Sequence, residues 1–169
     1  MGSYARIYEA AKVDANAIVG NYTEVYGAAH IYANAIVGKS CNIYQNAEIL
    51  SNAIVGDGVQ CYNARIEGPS TVGNFSHVYG DAKILAGANV GYSCHIYQGA
   101  KINARSNIGE AAHVYNAIVE EGGCVSAGQH VYGGAIIRDN NEVLVNGVCQ
   151  VPQNSNSVQK LISIIFAPP

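Results

Sequence analysis

Branched aliphatic residues recur every six positions along most of the chain, and this period is its dominant pattern. The first series is Ile7, Val13, Val19, Val25, Ile31, Val37, Ile43, Ile49 and Val55. A small residue, most often alanine, stands two positions before each aliphatic one. Residues two apart lie on the same face of a β-strand, so both members of each pair point inward. The pattern predicts four-residue strands separated by corners of turn-forming residues such as Asn16 and Asn52.

A second period shows how these hexads stack. The residue after the aliphatic one is tyrosine in every third hexad, at Tyr8, Tyr26, Tyr44, Tyr62, Tyr79, Tyr97, Tyr115 and Tyr132. The spacing is eighteen residues, shortened to seventeen after Tyr62 and after Tyr115. Three hexads therefore make one turn. We predict an all-β, three-faced parallel β-helix of about eight coils over residues 1–150, followed by a C-terminal tail over 151–169.

Two stretches carry a resemblance to a known family. Ile-Val-Gly-Lys-Ser-Cys at 36–41 and Ile-Val-Gly-Asp-Gly-Val at 54–59 are similar to the repeat of the hexapeptide-repeat proteins. The resemblance covers about residues 5–149 and implies a left-handed, single-stranded parallel β-helix. The best-known members are acyltransferases, which bind acyl-coenzyme A between the subunits of a trimer and use a histidine as general base. The repeat is specific to the fold rather than to any one activity.

Composition excludes several classes of function. The net charge of -3 and the 12% of charged residues give no basic field for a nucleic-acid backbone or an anionic membrane. No apolar stretch is long enough to span a membrane and no Sec-type signal is visible, so we expect a soluble protein. The five cysteines form no C-x2-C pair, so we expect free thiols, as in cytoplasmic synthesis or a virion or assembly component. We expect no cofactor and no metal.

The first predicted face carries the tyrosine column and, beside it, a column that ends in histidines. That second column is Arg6, Glu24, Asn42, Gln60, His77, His95, His113 and His130, and the last four lie beside Tyr79, Tyr97, Tyr115 and Tyr132. The columns allow an aromatic strip that binds carbohydrate, a catalytic histidine, or simply aromatic packing on a sheet. A linear stack of imidazoles does not converge on one point, so it is a poor metal site. Protonating neighbouring histidines predicts sensitivity to mild acid.

The other two faces differ in polarity. The second face alternates in charge and reads as a solvated surface, and it holds the fifth histidine, His30. The third face exposes isoleucines beside glycines in its first coils, at Ile18, Gly20, Ile36, Gly38, Ile54 and Gly56. A contiguous apolar strip usually marks a contact, so we expect a protein interface there.

The tail contains a second apolar segment. After the polar residues 153–157 come Leu161, Ile162, Ile164, Ile165 and Phe166. This run is too short to cross a membrane. We expect it to cap its own rod, to lie along the isoleucine face, or to add a strand to a neighbouring subunit.

These features favour a non-catalytic, self-assembling solenoid, such as a fibre, spike or scaffold subunit. No hexad holds an insertion that could form a substrate pocket within one chain. We expect a homo-oligomer, either a trimer or an end-to-end filament. The alternative is an acyltransferase-like enzyme that uses acyl-coenzyme A at the clefts of a trimer, with His30 or a histidine of the first face as its base. The histidine spacings do not fit a γ-class carbonic anhydrase, which the same fold also includes.

Overall fold

The protein winds into a prism of three parallel sheets. The computed structural model describes residues 1–138, which contain 23 short strands and no helix. Each strand is two or three residues long, shorter than the four residues predicted, because the corners between faces use the remaining residues of each hexad. None of these residues forms a helix that is long and apolar enough to cross a membrane.

Successive strands pass from one face to the next, so every third strand belongs to the same sheet. Face A contains β1 (Arg6–Ile7), β4 (Glu24–Val25), β7 (Asn42–Tyr44), β10 (Gln60–Tyr62), β13 (His77–Tyr79), β16 (His95–Tyr97), β19 (His113–Tyr115) and β22 (His130–Val131). Face B contains β2 (Lys12–Val13), β5 (His30–Ile31), β8 (Glu48–Ile49), β11 (Arg65–Ile66), β14 (Lys83–Ile84), β17 (Lys101–Ile102), β20 (Ile118–Val119) and β23 (Ile136–Ile137). Face C contains β3 (Ile18–Val19), β6 (Ile36–Val37), β9 (Ile54–Val55), β12 (Thr71–Val72), β15 (Asn89–Val90), β18 (Asn107–Ile108) and β21 (Cys124–Val125).

The strand register confirms the predicted columns. Parallel pairing sets Arg6 opposite Glu24, eighteen residues apart, and Gln60 opposite His77, seventeen residues apart. The shortened step after Tyr62 therefore leaves the columns in register, because a single corner residue, Asn63, takes the place of two. The predicted boundary near residue 150 lies outside the described residues and stays a prediction.

A continuous apolar core fills the prism. From Val19 to Val131 the aliphatic residue of each hexad is buried, as Ile31 and Ile43 illustrate at 0% exposure, and most of the small residues two positions before them are buried too, as at Ala47. Alternating large and small side chains from the three faces fill the interior. Burial of each large aliphatic side chain stabilises the fold by about 1.5–3 kcal/mol.

The corners use left-handed backbone conformations, and several residues adopt them that the sequence did not suggest. Asn16 and Asn52 have φ values of 66° and 65°, which suits asparagine at a turn. Tyr22 and Phe75 occupy equivalent corner positions with φ values of 60° and 58°. These two aromatic side chains project into solvent, so the coil imposes the corner geometry whichever residue occupies it.

Candidate functional site

A shallow groove follows the corner between faces A and B. It consists of two adjoining hollows with volumes of about 360 and 320 Å³. The first hollow is lined by Ala10, Lys12, Ala28, His30, Asn46 and Glu48, and the second by Asn46, Glu48, Asn63, Ala64, Arg65, Asp81, Ala82 and Lys83. Alanines at the corner leave the depression open. Asn46 and Glu48 belong to both hollows and join them into one groove.

His30 lies in this groove in a fixed orientation. Its Nε2 is 2.8 Å from Asp14 Oδ1 on the preceding coil. The imidazole also stacks on Tyr32, with 3.8 Å between ring centroids. Because a carboxylate accepts hydrogen bonds, Nε2 carries the proton in the neutral ring and Nδ1 is left as a proton acceptor. The arrangement is that of a histidine oriented for general-base chemistry.

Ion pairs and amides form the second hollow. Arg65 donates to Glu48 Oε2 at 2.6 Å and to Glu67 Oε1 at 3.0 Å. The hydrogen bond to Glu67 is the main reason why the pKa of Arg65 is raised, so this guanidinium stays charged. At the corner, Asn63 donates to Asp81 Oδ1 at 2.8 Å. The hollow therefore presents charged and hydrogen-bonding groups rather than an apolar surface.

The sequence indicated His30 as a candidate base but missed its partner. Asp14 lies sixteen residues before His30, two short of a full coil. A diagonal neighbour in a sheet lies two residues away from the directly opposite one, so the eighteen-residue period contained this signal. The groove itself could not be predicted because it depends on small corner residues, Ala10 and Ala28, beside long charged side chains.

Face A holds two continuous aromatic columns. All eight predicted tyrosines stack, with ring centroids 4.7 to 5.2 Å apart. His77, His95, His113 and His130 stack beside them with centroids 4.3 to 4.7 Å apart. Each interior tyrosine ring is covered on both faces by its neighbours. The rings therefore offer edges and hydroxyls to solvent, which disfavours stacking of a sugar along the column.

Titration of face A follows from this stacking. Burial lowers the pKa of His95 and of His113, and the neighbouring histidines lower each pKa further. Burial, followed by the neighbouring tyrosines, raises the pKa of Tyr79 and Tyr97. Stacking therefore favours the neutral imidazole at His95 and His113 and the neutral phenol at Tyr79 and Tyr97.

Face C exposes the predicted isoleucines. Ile18, Ile36 and Ile54 are 55%, 39% and 45% exposed, and they lie in one column of three neighbouring strands. Thr71, Asn89 and Asn107 continue that column, and Asn89 donates to Asn107 Oδ1 at 3.3 Å. The apolar strip is thus confined to the first coils of face C. Its use as an interface stays a prediction.

The glycine column beside those isoleucines has a cause within the rod. A Cβ at Gly20 would lie 2.5 Å from the carbonyl carbon of Gly38, and one at Gly38 would lie 2.6 Å from that of Gly56. Neither glycine has a left-handed φ, so close approach of successive coils, rather than backbone freedom, requires them. The sequence interpretation assigned these glycines to contact with another chain, and stacking of the chain on itself already accounts for them.

The cysteines offer no reactive thiolate among residues 1–138. Cys41, Cys61 and Cys94 are buried free thiols, and burial raises the pKa of each, that of Cys61 to about 12. Cys124 is disulfide-bonded, so the expectation of free thiols is wrong at this position.

Two further features of the sequence concern metal binding and the tail. Residues 1–138 contain no group of three or more histidine, cysteine, aspartate or glutamate side chains that could hold a metal ion. The apolar tail segment with Leu161, Ile162, Ile164, Ile165 and Phe166 lies outside the described residues. Its docking therefore stays a prediction.

Comparison with known proteins relates the chain to others by structure only. No protein-family model and no curated protein sequence matches it. Among solved structures it is similar to a variant of perosamine N-acetyltransferase from Caulobacter crescentus in complex with CoA and GDP-perosamine. The identity is 16% over 78% of this chain and 52% of that one, with a TM-score of 0.50.

Two other acyltransferase structures align at lower scores. UDP-N-acetylglucosamine acyltransferase from Francisella novicida is 16% identical over 75% of this chain and 63% of that one, with a TM-score of 0.48. The acetyltransferase domain of PglB from Neisseria gonorrhoeae is 18% identical over 76% and 54%, with a TM-score of 0.47. This chain thus spans about half to two thirds of the length of these proteins.

The likeness establishes the fold. This chain is a parallel β-solenoid with the fold of the hexapeptide-repeat acyltransferases. The left-handed winding implied by the sequence resemblance is consistent with that fold. At such low identity the likeness does not extend to activity or substrate.

Proposed function

We propose that this protein is an acyltransferase that moves an acyl group from acyl-coenzyme A to a hydroxyl or amine, with His30 as general base. The observation that carries the proposal is the 2.8 Å contact between His30 Nε2 and Asp14 Oδ1 inside the groove. The similarity in fold to an N-acetyltransferase crystallised with CoA supports it. The proposal replaces the preference for a non-catalytic role that the sequence alone suggested.

The chemistry needs one proton to be moved. Nδ1 of His30 takes the proton from the acceptor hydroxyl or amine as that group attacks the thioester carbonyl. The tetrahedral species then collapses, the carbon–sulfur bond breaks, and the imidazolium gives its proton to the departing thiolate. Asp14 keeps the ring oriented and stabilises its positive charge. A positioned base of this kind contributes about 10²–10⁴-fold to the rate.

A second subunit would complete the site. The groove is open along one side and no loop extends over it within residues 1–138. A neighbouring prism could supply the missing wall, as in the trimeric arrangement implied by the sequence resemblance. The isoleucine strip of face C offers an apolar surface for that association. We therefore propose a homo-oligomer, a trimer in particular, with its active sites between subunits.

The test is release of free thiol from acetyl-coenzyme A in the presence of a panel of amino and hydroxyl sugars. We expect His30→Asn to lower the rate by about 100-fold or more and Asp14→Asn to lower it by about tenfold or more. His95→Asn is the matched control, because His95 lies on face A away from the groove. We expect its rate to stay within about twofold of the wild type.

Two outcomes would contradict this assignment. If His95→Asn lowers the rate as much as His30→Asn, the base lies on face A. If the wild type neither binds acetyl-coenzyme A in calorimetry nor releases thiol with any acceptor, the proposal fails. The test of binding does not require that the acceptor be known.

A non-catalytic, self-assembling solenoid is the second candidate. The observation in its favour is the absence of any inserted loop in the coils of residues 1–138, combined with an exposed apolar strip. The similar solved structures are acyltransferases and give no support to a filament. Particle size from light scattering and negative-stain microscopy separates the two, since a discrete trimer fits the enzyme and an extended polymer fits the scaffold.

A further inference from the structure

We propose that the histidine ladder, His77, His95, His113 and His130, is a proton-sensitive lock on the C-terminal coils. Stacked and neutral at neutral pH, it holds β13, β16, β19 and β22 in register. In mild acid the imidazoles gain charge, repel one another and loosen these coils. The inference does not depend on the proposed catalytic role of His30.

The close stacking of the four imidazole rings makes it unfavourable to protonate neighbouring histidines. Strand pairing sets the four histidines directly opposite one another on adjacent coils. Their ring centroids are 4.7, 4.6 and 4.3 Å apart, and the planes are within 16° of parallel. Unit charges at such separations repel appreciably even when they are partly exposed to water. The ladder is therefore stable as stacked neutral rings and unstable as a row of cations.

Among the described residues, no opposite charge acts on the two inner histidines, His95 and His113. The group whose charge acts on His95 is His77, and those that act on His113 are His95 and His130. Beyond His77 the column continues to Gln60, which is uncharged. The tyrosines on the same strands are neutral phenols at neutral and acidic pH.

The carboxylates at the flanking corners have other partners. Asp81 accepts a hydrogen bond from Asn63, and Glu110 accepts one from Tyr92. Neither carboxylate is among the groups that shift the pKa of His95 or His113. Within residues 1–138, therefore, neither carboxylate acts as a counter-ion for His95 or His113.

The sign of the effect follows from the direction of the shifts. Burial, and then the neighbouring histidines, lower the pKa of His95 and His113 below the usual value of about 6.5. The unfolded chain then binds protons more readily than the folded one. The stabilising contribution is complete above about pH 6.5 and is lost as the pH falls from there through the lowered pKa values.

The same column supplies an internal control. Its first four positions are Arg6, Glu24, Asn42 and Gln60, none of which is a histidine. Arg6 pairs with Glu24 at 3.1 Å, so opposite charges attract there. We expect the coils from β13 onward to lose stability in the range where histidine titrates. The first coils hold a single histidine, His30, whose Nε2 already lies 2.8 Å from Asp14 Oδ1, so it has an acidic partner.

The experiment is hydrogen exchange of backbone amides in the full chain between pH 7.5 and 5.0, corrected for intrinsic exchange rates. As the pH falls, we expect the protection factors of the backbone amides of residues 95–131 to decrease. The decrease should be up to about tenfold per pH unit for each histidine that the fold keeps unprotonated. Protection at residues 6–44 should change much less. An equal loss in both regions would overturn the proposal, because it would indicate general acid destabilisation.

A substitution identifies the responsible groups. His95→Asn combined with His113→Asn places in the ladder a residue that the same column already holds at Asn42. We expect this variant to lose the difference between the two regions, and His30→Asn, whose histidine lies on face B, to keep it. Retention of the difference in the double variant would overturn the proposal.

A measurement on the wild type keeps the test valid if the double variant does not fold. Proton NMR titration of the imidazoles should show His95 and His113 titrating below the usual histidine pKa of about 6.5. Titration of His95 and His113 at or above that usual value would overturn the proposal.

Discussion

The first and second halves of the prism share a core and differ on the surface. Residues 1–62 carry an ion pair on face A, His30 on face B and isoleucines on face C. Residues 63–138 carry the histidine ladder on face A and an asparagine column on face C. Inside, both halves repeat the same alternation of alanine with valine or isoleucine.

The comparison teaches that inward and outward columns serve separate purposes. Inward residues must match the coil above and below in size, so they hardly vary. Outward residues need only avoid repulsion from the next coil, so their chemistry can change from one coil to the next. The apolar strip belongs to the first half and the proton-sensitive ladder to the second, whereas the groove extends over both halves. The two halves are thus one structural unit with two surface chemistries.

The largest expected effect tests whether the core is equivalent in the two halves. Ile43 and Ile96 lie in the same inward column of face A and are both fully buried. We expect Ile43→Ala and Ile96→Ala each to lower the free energy of unfolding by about 2–5 kcal/mol. Urea denaturation followed by circular dichroism measures both. A large cost in one half and almost none in the other would show that the two halves do not share an equivalent core.

A smaller effect distinguishes two kinds of glycine. A Cβ at Gly38 would meet the backbone of the next coil at 2.6 Å, whereas a Cβ at Gly99 has no neighbour within 4 Å but has a φ of +71°. We expect Gly38→Ala to cost about 1–3 kcal/mol through overpacking and Gly99→Ala about 1 kcal/mol through backbone strain. Thermal unfolding ranks the two. The reverse order would contradict the view that coil spacing requires the glycines of face C.

The smallest effect concerns association rather than folding. Ile36 and Asn89 occupy the same outward column of face C in the two halves. We expect Ile36→Asn to weaken self-association by about tenfold, because exposed apolar area is lost from the contact, and Asn89→Ala to leave it unchanged. Sedimentation equilibrium measures the self-association constant of each variant. If the two variants associate like the wild type, face C is not the contact surface.

The columns could be predicted from the sequence because, in a solenoid, residues that are one repeat apart lie opposite each other on adjacent coils. An eighteen-residue repeat of Tyr8, Tyr26 and Tyr44 fixes which side chains lie opposite one another without any knowledge of the corners. The same rule predicted the register of His77, His95, His113 and His130. Few other folds relate sequence spacing to spatial contact so directly.

The eighteen-residue period could not predict contacts between residues that are not a full coil apart, or the distances between adjacent coils. The pairing of Asp14 with His30 is diagonal, and it depends on the reach and rotamer of two side chains. The need for glycine at position 38 depends on the distance between two backbones rather than on a neighbour in the sequence. The left-handed φ of Tyr22 follows from closure of the coil against the preference of the residue. Each outcome is decided by distances between coils, which spacing along the chain does not encode.

The coil-on-coil stacking described above also makes the molecule a one-dimensional lattice. Each coil hydrogen-bonds only to the coils directly above and below it, as the strand order within each sheet shows. Folding cooperativity then depends on nearest-neighbour coupling, and length becomes a variable that can change by whole coils. A duplication of eighteen residues would lengthen the rod while preserving every existing contact except those at one junction. Gain or loss of whole coils could therefore change the length of the rod without altering the structure of the remaining coils.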